Sequence, residues 1–420
     1  MRKELIARVE GHGRIDIKIK DRHVESVELD ILTPPRLFEK LIVGRHFSDV
    51  PTIVSRICSI CSASHRIVSV MAAESAFGVK VSKEARLLRE LLLHGELLES
   101  HGLHLFLLAL PDYYGKNSFV ELSREMPEVV SLGFKIKGLG NKIQEVAGGR
   151  AIHQITPVVG GMSAVPSKMA LELIQQTAGP LVEEVAEFLK EIPCSEYNSV
   201  VEVKNWVSLS GKAYGYMGEH ILINNKEKVR IDDFWKKFNE SALPNSYSKH
   251  TLYDNEPFMV GALPRLLNSG AKLTDRASSL LKHPGLKKNR SPYANSLAQG
   301  VEIIFSLEKI MEIAGDLLKI GLPDGQGIIS GFTPKAGKGV AAIEAPRGLL
   351  VHTYTFDDKG YVADGDIATP TALNLSDMER NLKIMAEALL NKTTEIKPAL
   401  ETLIRAYDPC ISCSVHVLNL

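Results

Sequence analysis

The sequence predicts an α+β protein that is mainly α-helical, with a core of long helices and a smaller β component. Apolar residues recur at helical spacing over long segments, of which the one from about residue 82 to about residue 110 is the longest. Strict alternation of apolar and polar residues, which is typical of half-buried strands, is concentrated near the start of the chain. At 420 residues and 45% hydrophobic, the chain can bury a large core.

The first elements predict a β-hairpin. In "RIDIKIK" (residues 14–20) isoleucine alternates with a charged residue, and "VELDI" (residues 27–31) resumes the alternation after a polar break. Two such runs joined by a short polar segment are typical of a hairpin with one buried face. After "TPP" (residues 33–35) the spacing becomes helical through "RLFEKLIVGRHF" (residues 36–47). We therefore expect a helix directly after the hairpin.

The remaining chain is predicted to be mostly helical. Between about residues 197 and 270 the sequence reads as loops and strands that form an insertion on the helical body, and the glycine-rich segment 321–360 reads as loops and short strands. No internal repeat or break in composition divides the chain, so we predict a single domain over residues 1–420. Amphipathic helices are expected at about residues 63–77, 82–110, 166–192, 294–319, 376–391 and 395–406.

Composition excludes several classes of function. Acidic and basic residues number 50 each, so the net charge does not favour nucleic-acid binding. The first 20 residues lack the apolar core of a signal peptide, and the longest apolar stretch, "LHLFLLALP", is too short to span a membrane. We therefore expect a soluble, cytoplasmic protein without a membrane span.

Four of the five cysteines form two CxxC pairs, Cys58 with Cys61 and Cys410 with Cys413. Four thiolates suffice for one tetrahedral soft-metal site if the fold brings the chain ends together. Zinc ribbons usually separate their pairs by roughly 15–20 residues, far less than here. From spacing alone, structural zinc, a catalytic or redox metal and two unrelated dithiols all stay open.

Both pairs lie at predicted helix boundaries. The Cys58 pair precedes the helix expected from about residue 63, where unpaired amide groups stabilise thiolate. The Cys410 pair follows "RAYDP", in which proline ends the preceding helix. These surroundings favour a reactive or metal-bound site over inert dithiols.

Further motifs accompany the pairs in a fixed order: "RVEGH" (8–12), "PRLFEK" (35–40), "RICSICSASH" (56–65), "EAPRG" (344–348) followed by "VH" (351–352), "TPTALN" (369–374) and "DPCISCSVH" (408–416). Read together, they resemble the catalytic large subunit of a nickel-iron hydrogenase, almost from end to end. The resemblance implies the hydrogenase large-subunit fold. It is greatest to the cytosolic enzymes linked to NAD(P), some of which also reduce sulfur. One departure is Gln154, where the family usually has proline.

This resemblance implies a set of metals. Nickel would be held by Cys58, Cys61, Cys410 and Cys413, and two of these, Cys61 and Cys413, would bridge to an iron that carries carbon monoxide and cyanide. Thiolates are soft donors that suit nickel. Glu39 and His416 resemble the ligands of a buried magnesium, whose octahedron waters and a backbone carbonyl would complete.

The resemblance also implies catalytic roles. Arg347 would extend over the open metal site, either as the base in heterolytic cleavage of dihydrogen or as a charge that polarises the gas. Glu10 would take the proton from the thiolate of Cys410 and begin its exit, which requires a carboxyl pKa near neutrality. Without the family context, Glu10 would be read as an ordinary strand carboxylate.

Four more residues would surround the metals. Pro346 and Leu350 would wall the pocket around the diatomic ligands of the iron, and the Thr371 hydroxyl would donate to a cyanide nitrogen. His65 would hydrogen-bond towards a bridging sulfur, although a structural core histidine is the alternative. His94, His101 and His104 on the long predicted helix are read as buried or interfacial residues, with ligation as the alternative.

The chain can split the gas but is not expected to pass the electrons on. An iron–sulfur cluster needs about four cysteines, and only Cys194 is spare. "GFTPKAGKG" and "GQGIISG" miss the spacings of nucleotide-binding loops. The expected partners are therefore an iron–sulfur small subunit and a flavin-containing NAD(P)-binding (diaphorase) unit. Other readings are a hydrogen-sensing regulatory protein and a non-catalytic scaffold subunit of a respiratory complex, which is expected to lose the thiolates.

The last four residues, "VLNL" (417–420), raise a question of maturation. In the resembled family a maturation endopeptidase, acting after nickel-insertion proteins, cuts just after the histidine of the last motif, and the segment then folds inward. We expect that an uncut tail keeps the Cys410 segment away from the Cys58 pair. A tail short enough to be tolerated is the alternative.

Overall fold

The computed structural model describes residues 4–21, 23–33, 36–242, 248–323, 325–390 and 393–414. Its α-helices are α1 Phe38–Leu41, α2 Val50–Val54, α3 Ser62–Phe77, α4 Lys83–Leu103, α5 Leu110–Tyr113, α6 Phe119–Glu125, α7 Pro127–Gly148, α8 Lys168–Lys190, α9 Phe234–Lys237, α10 Ala262–Ser269, α11 Asp275–Ser279, α12 Ala294–Ile320, α13 Pro370–Ala388, α14 Thr393–Ala406 and α15 Ile411–Ser414. Its strands are β1 Glu4–Leu5, β2 Gly13–Lys20, β3 His23–Ile31, β4 Pro157–Val158, β5 Gly161–Met162, β6 Val207–Ser210, β7 His220–Ile223, β8 Glu227–Arg230, β9 Phe238–Ala242, β10 Lys249–Tyr253, β11 Ile328–Ile329, β12 Gly337–Ala345, β13 Gly348–Phe356 and β14 Val362–Ala368. The predicted α+β class is confirmed.

Long helices form the body of the molecule. Helix α4 packs against α7 and α12, and α12 also packs against α8. Their apolar faces belong to one buried cluster that also contains the four paired cysteines. The helices predicted near residues 166–192 and 294–319 correspond to α8 and α12. Helix α7 was not predicted, because its internal glycines lower the helix propensity of the segment.

Those glycines let α4 and α7 approach closely. A Cβ added to Gly140 of α7 would lie 2.5 Å from the amide nitrogen of Glu99 and 2.5 Å from the carbonyl oxygen of Gly95, both in α4. Real Cβ atoms do not approach other atoms so closely, so a side chain at this position would force the two backbones apart. Gly138 in the same helix has no atom within 4 Å of the equivalent position.

The helix predicted from about residue 82 to 110 changes type before its end. Ser82 caps α4 by accepting a hydrogen bond from the amide of Ala85, and residues His104–Ala109 then form a π-helical turn. The amide of Leu110 bonds to the carbonyl of Leu105, and Pro111, which has no amide hydrogen, cannot continue the regular ladder. Within the described ranges, no helix combines the length and apolarity needed to cross a bilayer.

The N-terminal hairpin is confirmed. Strands β1, β2 and β3 form an antiparallel sheet in which Gly13 is opposite Ile31. Alternate apolar side chains of β3 are buried in a cluster with residues of α13 and α14. The helix predicted over residues 36–47 is limited to α1, a single turn. Its flanking residue Leu37 has a left-handed backbone with φ of 56°, which interrupts the helical run.

Strands β12, β13 and β14 form a central antiparallel sheet that corrects the sequence prediction. Loops and short strands were predicted over residues 321–360, but from residue 337 two nine-residue strands occupy this segment. The sheet packs against α3 on one side and shares a cluster with β6 on the other, so its apolar residues run consecutively without alternation. Gly339 is required because a Cβ there would lie 2.0 Å from the carbonyl oxygen of Ala72 in α3.

The segment read as an insertion does consist of loops, strands and short helices. Strands β6, β7 and β8 form one antiparallel sheet, and β9 pairs with β10. Val207 and Leu209 of β6 are buried with Val340 of β12 and Leu349 of β13. The segment therefore shares its core with the central sheet.

Candidate metal centre

The four paired cysteines converge although they come from opposite ends of the chain. Cys58 Sγ lies 3.4 Å from Cys410 Sγ, and Cys61 Sγ lies 3.4 Å from Cys413 Sγ. Cys410 Sγ and Cys413 Sγ are 2.7 Å apart. All four sulfur atoms lie within 4.8 Å of one another and are buried. The described residues contain no other group of three or more cysteine, histidine or carboxylate side chains with this geometry.

Local structure directs each sulfur to the common point. Cys61 is the N-cap residue of α3, and its amide donates to Cys58 Sγ at 3.3 Å. Cys413 lies in α15. Cys410 precedes α15 and forms a parallel bridge with Glu10, in which the amide of Ile411 donates to the Glu10 carbonyl. The N-terminal segment thus holds the C-terminal pair against the Cys58 pair.

This convergence corrects the expectation about the tail. The Cys410 segment was predicted to lie away from the Cys58 pair if the chain still carries residues 417–420. Instead all four sulfurs are together. The bridge to Glu10 and the bonds described below hold the segment against the Cys58 pair. Residues 415–420, which include His416, lie outside the described residues.

The charges of the site fit a metal. Hydrogen bonds from the other three cysteines, with Cys410 first, hold the pKa of Cys58 well below its usual range, and the charge of Arg347 acts in the same direction. Burial and hydrogen bonds from the other cysteines raise the pKa of Cys413 well above its usual range. Four buried thiols this close cannot all ionise without a cation, whereas a soft metal ion would neutralise and share them.

Arg347 lies beside the cysteines in the turn between β12 and β13. Its Nε donates to the carbonyl oxygen of Asp408 at 3.0 Å and to Asp408 Oδ1 at 3.1 Å. Burial alone would lower its pKa, but Asp408 and the nearby cysteines raise the pKa well above its usual range. The guanidinium therefore stays charged. Its Nη1 is buried without a hydrogen-bond partner among the described residues, so it is available to the site.

Glu10 contacts the site through Cys410. Cys410 Sγ donates to Glu10 Oε2 at 3.1 Å, and Ser412 donates to the same carboxylate through its amide, at 3.1 Å, and its hydroxyl. Burial, followed by the charge of Cys410, raises the pKa of Glu10 to about 7. A carboxyl group with a pKa near neutrality can exchange protons readily at physiological pH.

The residues predicted to surround the diatomic ligands lie on three elements. Thr371, in the first turn of α13, accepts a hydrogen bond from the Cys410 amide at 2.9 Å, which leaves its own hydroxyl hydrogen free to donate. Leu350 of β13 is fully buried in the cluster that contains the four cysteines. Pro346 lies immediately before Arg347, and its carbonyl oxygen accepts from Arg265 at 3.0 Å.

His65 begins a buried polar row. Its Nδ1 lies 3.1 Å from His352 Nε2, and His352 Nδ1 lies 2.5 Å from the hydroxyl of Tyr354. Burial lowers the pKa of His65 to about 3, so the ring is neutral. Its Nε2 is buried with no protein partner among the described residues. This nitrogen is the one that could reach a sulfur or a ligand in the site.

Glu39, predicted as a magnesium ligand, lies in a carboxylate cluster. Glu39 Oε1 accepts from the amide of Ile367 and from Lys249 Nζ, each at 2.9 Å. The ammonium also lies 2.8 Å from Glu240 and 2.8 Å from Asp366. Carboxylate oxygens are hard donors that suit magnesium, but here the ammonium is the cation beside Glu39. Since His416 lies outside the described residues, the magnesium site stays a prediction.

Two residues that hold the cysteine segments were missed. Arg36 Nη2 donates to the carbonyl oxygens of Ile57 and Ser412, which links the two CxxC segments. Glu96 of α4 accepts from the amides of Ala63, at 2.7 Å, and Ser64, at 3.1 Å, in the first turn of α3. Arg36 could have been found from its place in the "PRLFEK" motif. Glu96 has no local signal, because its partners are over 30 residues away.

The other histidines of the long helix are structural, as the sequence favoured. His94 Nδ1 lies 3.1 Å from the hydroxyl of Ser306, and His101 Nε2 lies 2.8 Å from Glu302 Oε2. Both partners lie on α12, and both histidines are buried. They tie α4 to α12 and do not reach the cysteines.

A family model described as nickel-dependent hydrogenase matches residues 36–125 and 214–416. These ranges contain all four converging cysteines together with Arg347 and Thr371. They cover more than half of the chain. The chain belongs to the nickel-dependent hydrogenase family, as a large subunit with a four-cysteine metal site.

Particular relatives agree with this family. The chain is 38% identical to sulfhydrogenase 1 subunit alpha of Pyrococcus furiosus, over 99% of this chain and 97% of that protein. It is also 38% identical to sulfhydrogenase 2 subunit alpha of the same organism, over 98% of each. A crystal structure of an NAD+-reducing NiFe-hydrogenase in the H2-reduced state matches with a TM-score of 0.89 at 25% identity, covering 99% of this chain and 100% of that chain. The predicted family and fold are confirmed, and the chain is a hydrogenase subunit that acts on H2.

Proposed function

We propose that this chain cleaves dihydrogen heterolytically and reversibly at the four-cysteine site and delivers the proton to Glu10. The observation that carries the proposal is the convergence of four buried sulfurs within 4.8 Å, with the Glu10 carboxylate 3.1 Å from Cys410 Sγ. A purely structural metal site would not need a carboxyl group of raised pKa against one of its sulfurs. This arrangement joins a site for soft metals to a route for protons.

The cysteines would hold nickel, and Cys61 and Cys413 would also hold an iron with carbon monoxide and cyanide ligands. The donor set suits this pair, because thiolates are soft ligands and buried thiols need a cation to ionise together. When bound, the two metals supply an electrophilic centre that polarises dihydrogen and accepts its two electrons. Pro346, Leu350 and the Thr371 hydroxyl would enclose the diatomic ligands, and His65 Nε2 would donate towards a sulfur.

Glu10 would accept the proton, and Arg347 would supply a positive charge next to the metals. The proton released from dihydrogen would be held at Cys410 Sγ and would pass over 3.1 Å to Glu10 Oε2. Arg347 would act as a fixed positive charge, because Asp408 keeps its pKa high and a charged guanidinium is a poor base. Its unpartnered Nη1 would face the gas.

Glu39 and His416 would bind magnesium near the C-terminal segment. Binding would require Lys249 to move away from Glu39, and Glu240 and Asp366 could still neutralise the ammonium. The carboxylates of this cluster offer the oxygen donors that magnesium prefers. Magnesium would then tie the last segment to α1.

The electrons would leave through another subunit. Four of the five cysteines form the site and only Cys194 remains, so the chain lacks the thiolates that an iron–sulfur cluster needs. We propose an iron–sulfur small subunit as the direct partner. The named relatives, sulfhydrogenase alpha subunits and an NAD+-reducing hydrogenase, suggest that a flavin-containing diaphorase passes the electrons on to NAD(P) or sulfur. Nickel-insertion proteins and a maturation endopeptidase would complete the site.

A hydrogen-sensing protein built on the same site is the second candidate, because the same residues would serve both. A scaffold subunit without chemistry is disfavoured by the presence of all four thiols. Turnover separates these functions. An enzyme reduces an electron-accepting dye rapidly under H2, whereas a sensor does so very slowly.

The test uses the purified complex of this chain with its partner subunits. We expect rapid H2-dependent dye reduction and exchange between D2 and water. Cys58→Ser should lose nickel and both activities, since a hydroxyl is a poor ligand for a soft metal. Cys194→Ser is the matched control, because Cys194 is exposed and does not belong to the converging group, and it should behave as wild type. Full nickel occupancy in Cys58→Ser would refute the ligand assignment.

A further inference from the structure

The orientation of Arg347 depends on a buried chain of hydrogen-bonded side chains formed by Asp408, Gln299 and His104. Asp408 receives Arg347 Nε through its carbonyl oxygen and Oδ1. Its other carboxylate oxygen, Oδ2, accepts from Gln299 Nε2 of α12 at 2.8 Å. Asp408 has a left-handed backbone with φ of 50°, which is unfavourable for a residue with a side chain. Bonds on both carboxylate oxygens therefore hold a strained residue, and the guanidinium with it.

His104 lies at the far end of these hydrogen-bonded side chains and faces two acceptors. Its Nδ1 lies 2.6 Å from Gln299 Oε1, and its Nε2 lies 2.8 Å from the carbonyl oxygen of Arg405. The amide of Gln299 cannot be reversed, because its oxygen would then face the carboxylate of Asp408. A carbonyl oxygen offers no hydrogen. Both ring nitrogens of His104 must therefore carry a hydrogen, which makes the ring an imidazolium.

The surroundings of His104 stabilise a positive charge. Arg405 is the second-last residue of α14, so its carbonyl belongs to the negative end of a helix dipole. Asp408 Oδ1 lies 3.8 Å from His104 Nε2. The guanidinium of Arg405 is bound to Asp112 and points elsewhere. His104 is buried, and a buried cation persists only with such compensation.

The backbone of the long helix places His104 at this point. His104 is the first residue of the π-helical turn that begins where α4 ends. A π-helical turn shifts the side chains that follow it around the helix axis, and such turns are frequent at functional sites. The turn thus brings one imidazole between Gln299 of α12 and the end of α14.

We propose that His104 is an imidazolium and acts, through Gln299 and Asp408, as a positioning residue for Arg347. This inference rests on the proposed role of Arg347 at the four-cysteine site. His104 does not touch the site itself. Its positive charge keeps the Gln299 oxygen turned towards the ring and the Gln299 nitrogen turned towards Asp408. The carboxylate is then free to orient Arg347 Nε, which leaves Nη1 directed to the site.

His94 on the same helix provides an internal comparison. It also packs against α12 but bonds a hydroxyl of Ser306, which can either donate or accept. Burial lowers the pKa of His94 to about 3, so this ring is neutral. The two histidines share burial and helix, and they differ in whether both ring nitrogens face acceptors.

Neutron diffraction from deuterated crystals of the intact complex tests the charge directly. We expect deuterium on both Nδ1 and Nε2 of His104 and on one ring nitrogen of His94. One deuterium on His104 would overturn the proposal. This result does not depend on hydrogenase activity, so it stands apart from the test of the proposed function.

His104→Gln in the intact complex tests the positioning. Glutamine keeps donors on one amide nitrogen, but it carries no charge and cannot place a hydrogen at the positions of both ring nitrogens. We expect unchanged nickel content and unchanged KM for H2. The D2–water exchange rate per nickel should fall about tenfold, because a misplaced Arg347 would be poorly oriented towards the gas. His94→Gln, the matched control, should exchange as wild type does. Wild-type exchange in His104→Gln, or loss of its nickel, would contradict a positioning role. Wild-type exchange in Arg347→Lys would instead refute the role of Arg347.

Discussion

Glu10 shows at the scale of one residue how the fold sets both the position and the pKa of a carboxyl group. Residue 10 and residue 410 are paired by a backbone bridge, and this bridge sets the side chain against Cys410 Sγ. Burial then raises the pKa of Glu10 to about 7. Position and pKa both follow from one pairing between the two ends of the chain.

We predict that Glu10→Gln retains its metals but loses exchange. Glutamine keeps the size and hydrogen bonding of the side chain but cannot carry a proton, so D2–water exchange should fall by about 10²-fold or more. Nickel and iron analysis of the complex checks the first part, and mass spectrometry of the released gas checks the second. Glu28→Gln, at a partly exposed carboxylate of the same hairpin, is the control. Exchange near the wild-type rate would show that Glu10 is not the carrier.

Residues at the site differ in how far the sequence could predict them. The cysteines, Glu10, Arg347 and Thr371 lie in short motifs whose order indicated one family. Arg36, Glu96 and His104 hold those residues in place through partners far along the chain; Arg36 and Ser412, for example, are 376 residues apart. Contacts of that range depend on the complete fold, so residue spacing does not show them, although the "PRLFEK" motif marks Arg36 itself as a candidate.

Helix α3 depends on a carboxylate from another helix. Glu96 binds the amides of its first turn directly after Cys61, and burial raises the pKa of Glu96 to about 8. Its ordinary pKa is 4.5. Between these values the folded chain keeps a proton that the unfolded chain releases, so stability falls as pH rises from about 4.5 to about 8.

Glu96→Gln should remove this pH dependence. The wild-type complex is expected to lose on the order of 3 kcal/mol of stability from this group between about pH 5 and about pH 8, and the variant should not. Thermal unfolding midpoints of the complex measured across this range check the prediction. Glu145→Gln, an exposed position on α7, should keep the wild-type slope. Parallel curves for wild type and Glu96→Gln would contradict the assignment.

The crossing of α4 and α7 gives a second prediction at the scale of elements. Gly140→Ala should destabilise the protein by about 1–3 kcal/mol, because the new Cβ overlaps backbone atoms of α4. Gly138→Ala in the same helix should be neutral or stabilise by up to about 1 kcal/mol, since open space surrounds it and alanine favours helix. The melting temperature should fall in Gly140→Ala and should stay the same or rise in Gly138→Ala. Equal shifts would show that close approach does not matter here.

The elements that the sequence missed have a common physical cause. Helix α7 contains glycines that serve packing, and β12 and β13 are buried on both faces and so show no alternation. In both cases tertiary contacts decide the structure over local preference. Elements with one exposed face, such as the hairpin and α8, were predicted well, because their periodic pattern survives in the sequence.

At the scale of the whole molecule, the fold brings both ends of the chain to one buried point. The N-terminal hairpin, the start of α3, the central sheet and the segment around α15 each contribute residues to it. The helical body of α4, α7, α8 and α12 packs beside this site. Glu96, Gln299 and His104 connect the helical body to the residues of the site. A site assembled from so many elements forms only when the last segment has docked.

Docking of that segment suggests a prediction about processing. If the maturation endopeptidase acts on this chain, mass spectrometry of the nickel-containing complex should find a large subunit that ends at His416. A chain lacking nickel should retain residues 417–420. A nickel-loaded subunit that still ends at Leu420 would show that the tail is tolerated.

The central claim is that Cys58, Cys61, Cys410 and Cys413 hold nickel. The most direct measurement is anomalous diffraction from crystals of the purified complex, collected on both sides of the nickel absorption edge. The account predicts a nickel peak within bonding distance of the four sulfur atoms. A nickel peak elsewhere, or a peak among the four sulfurs that appears only at the zinc edge, would contradict it.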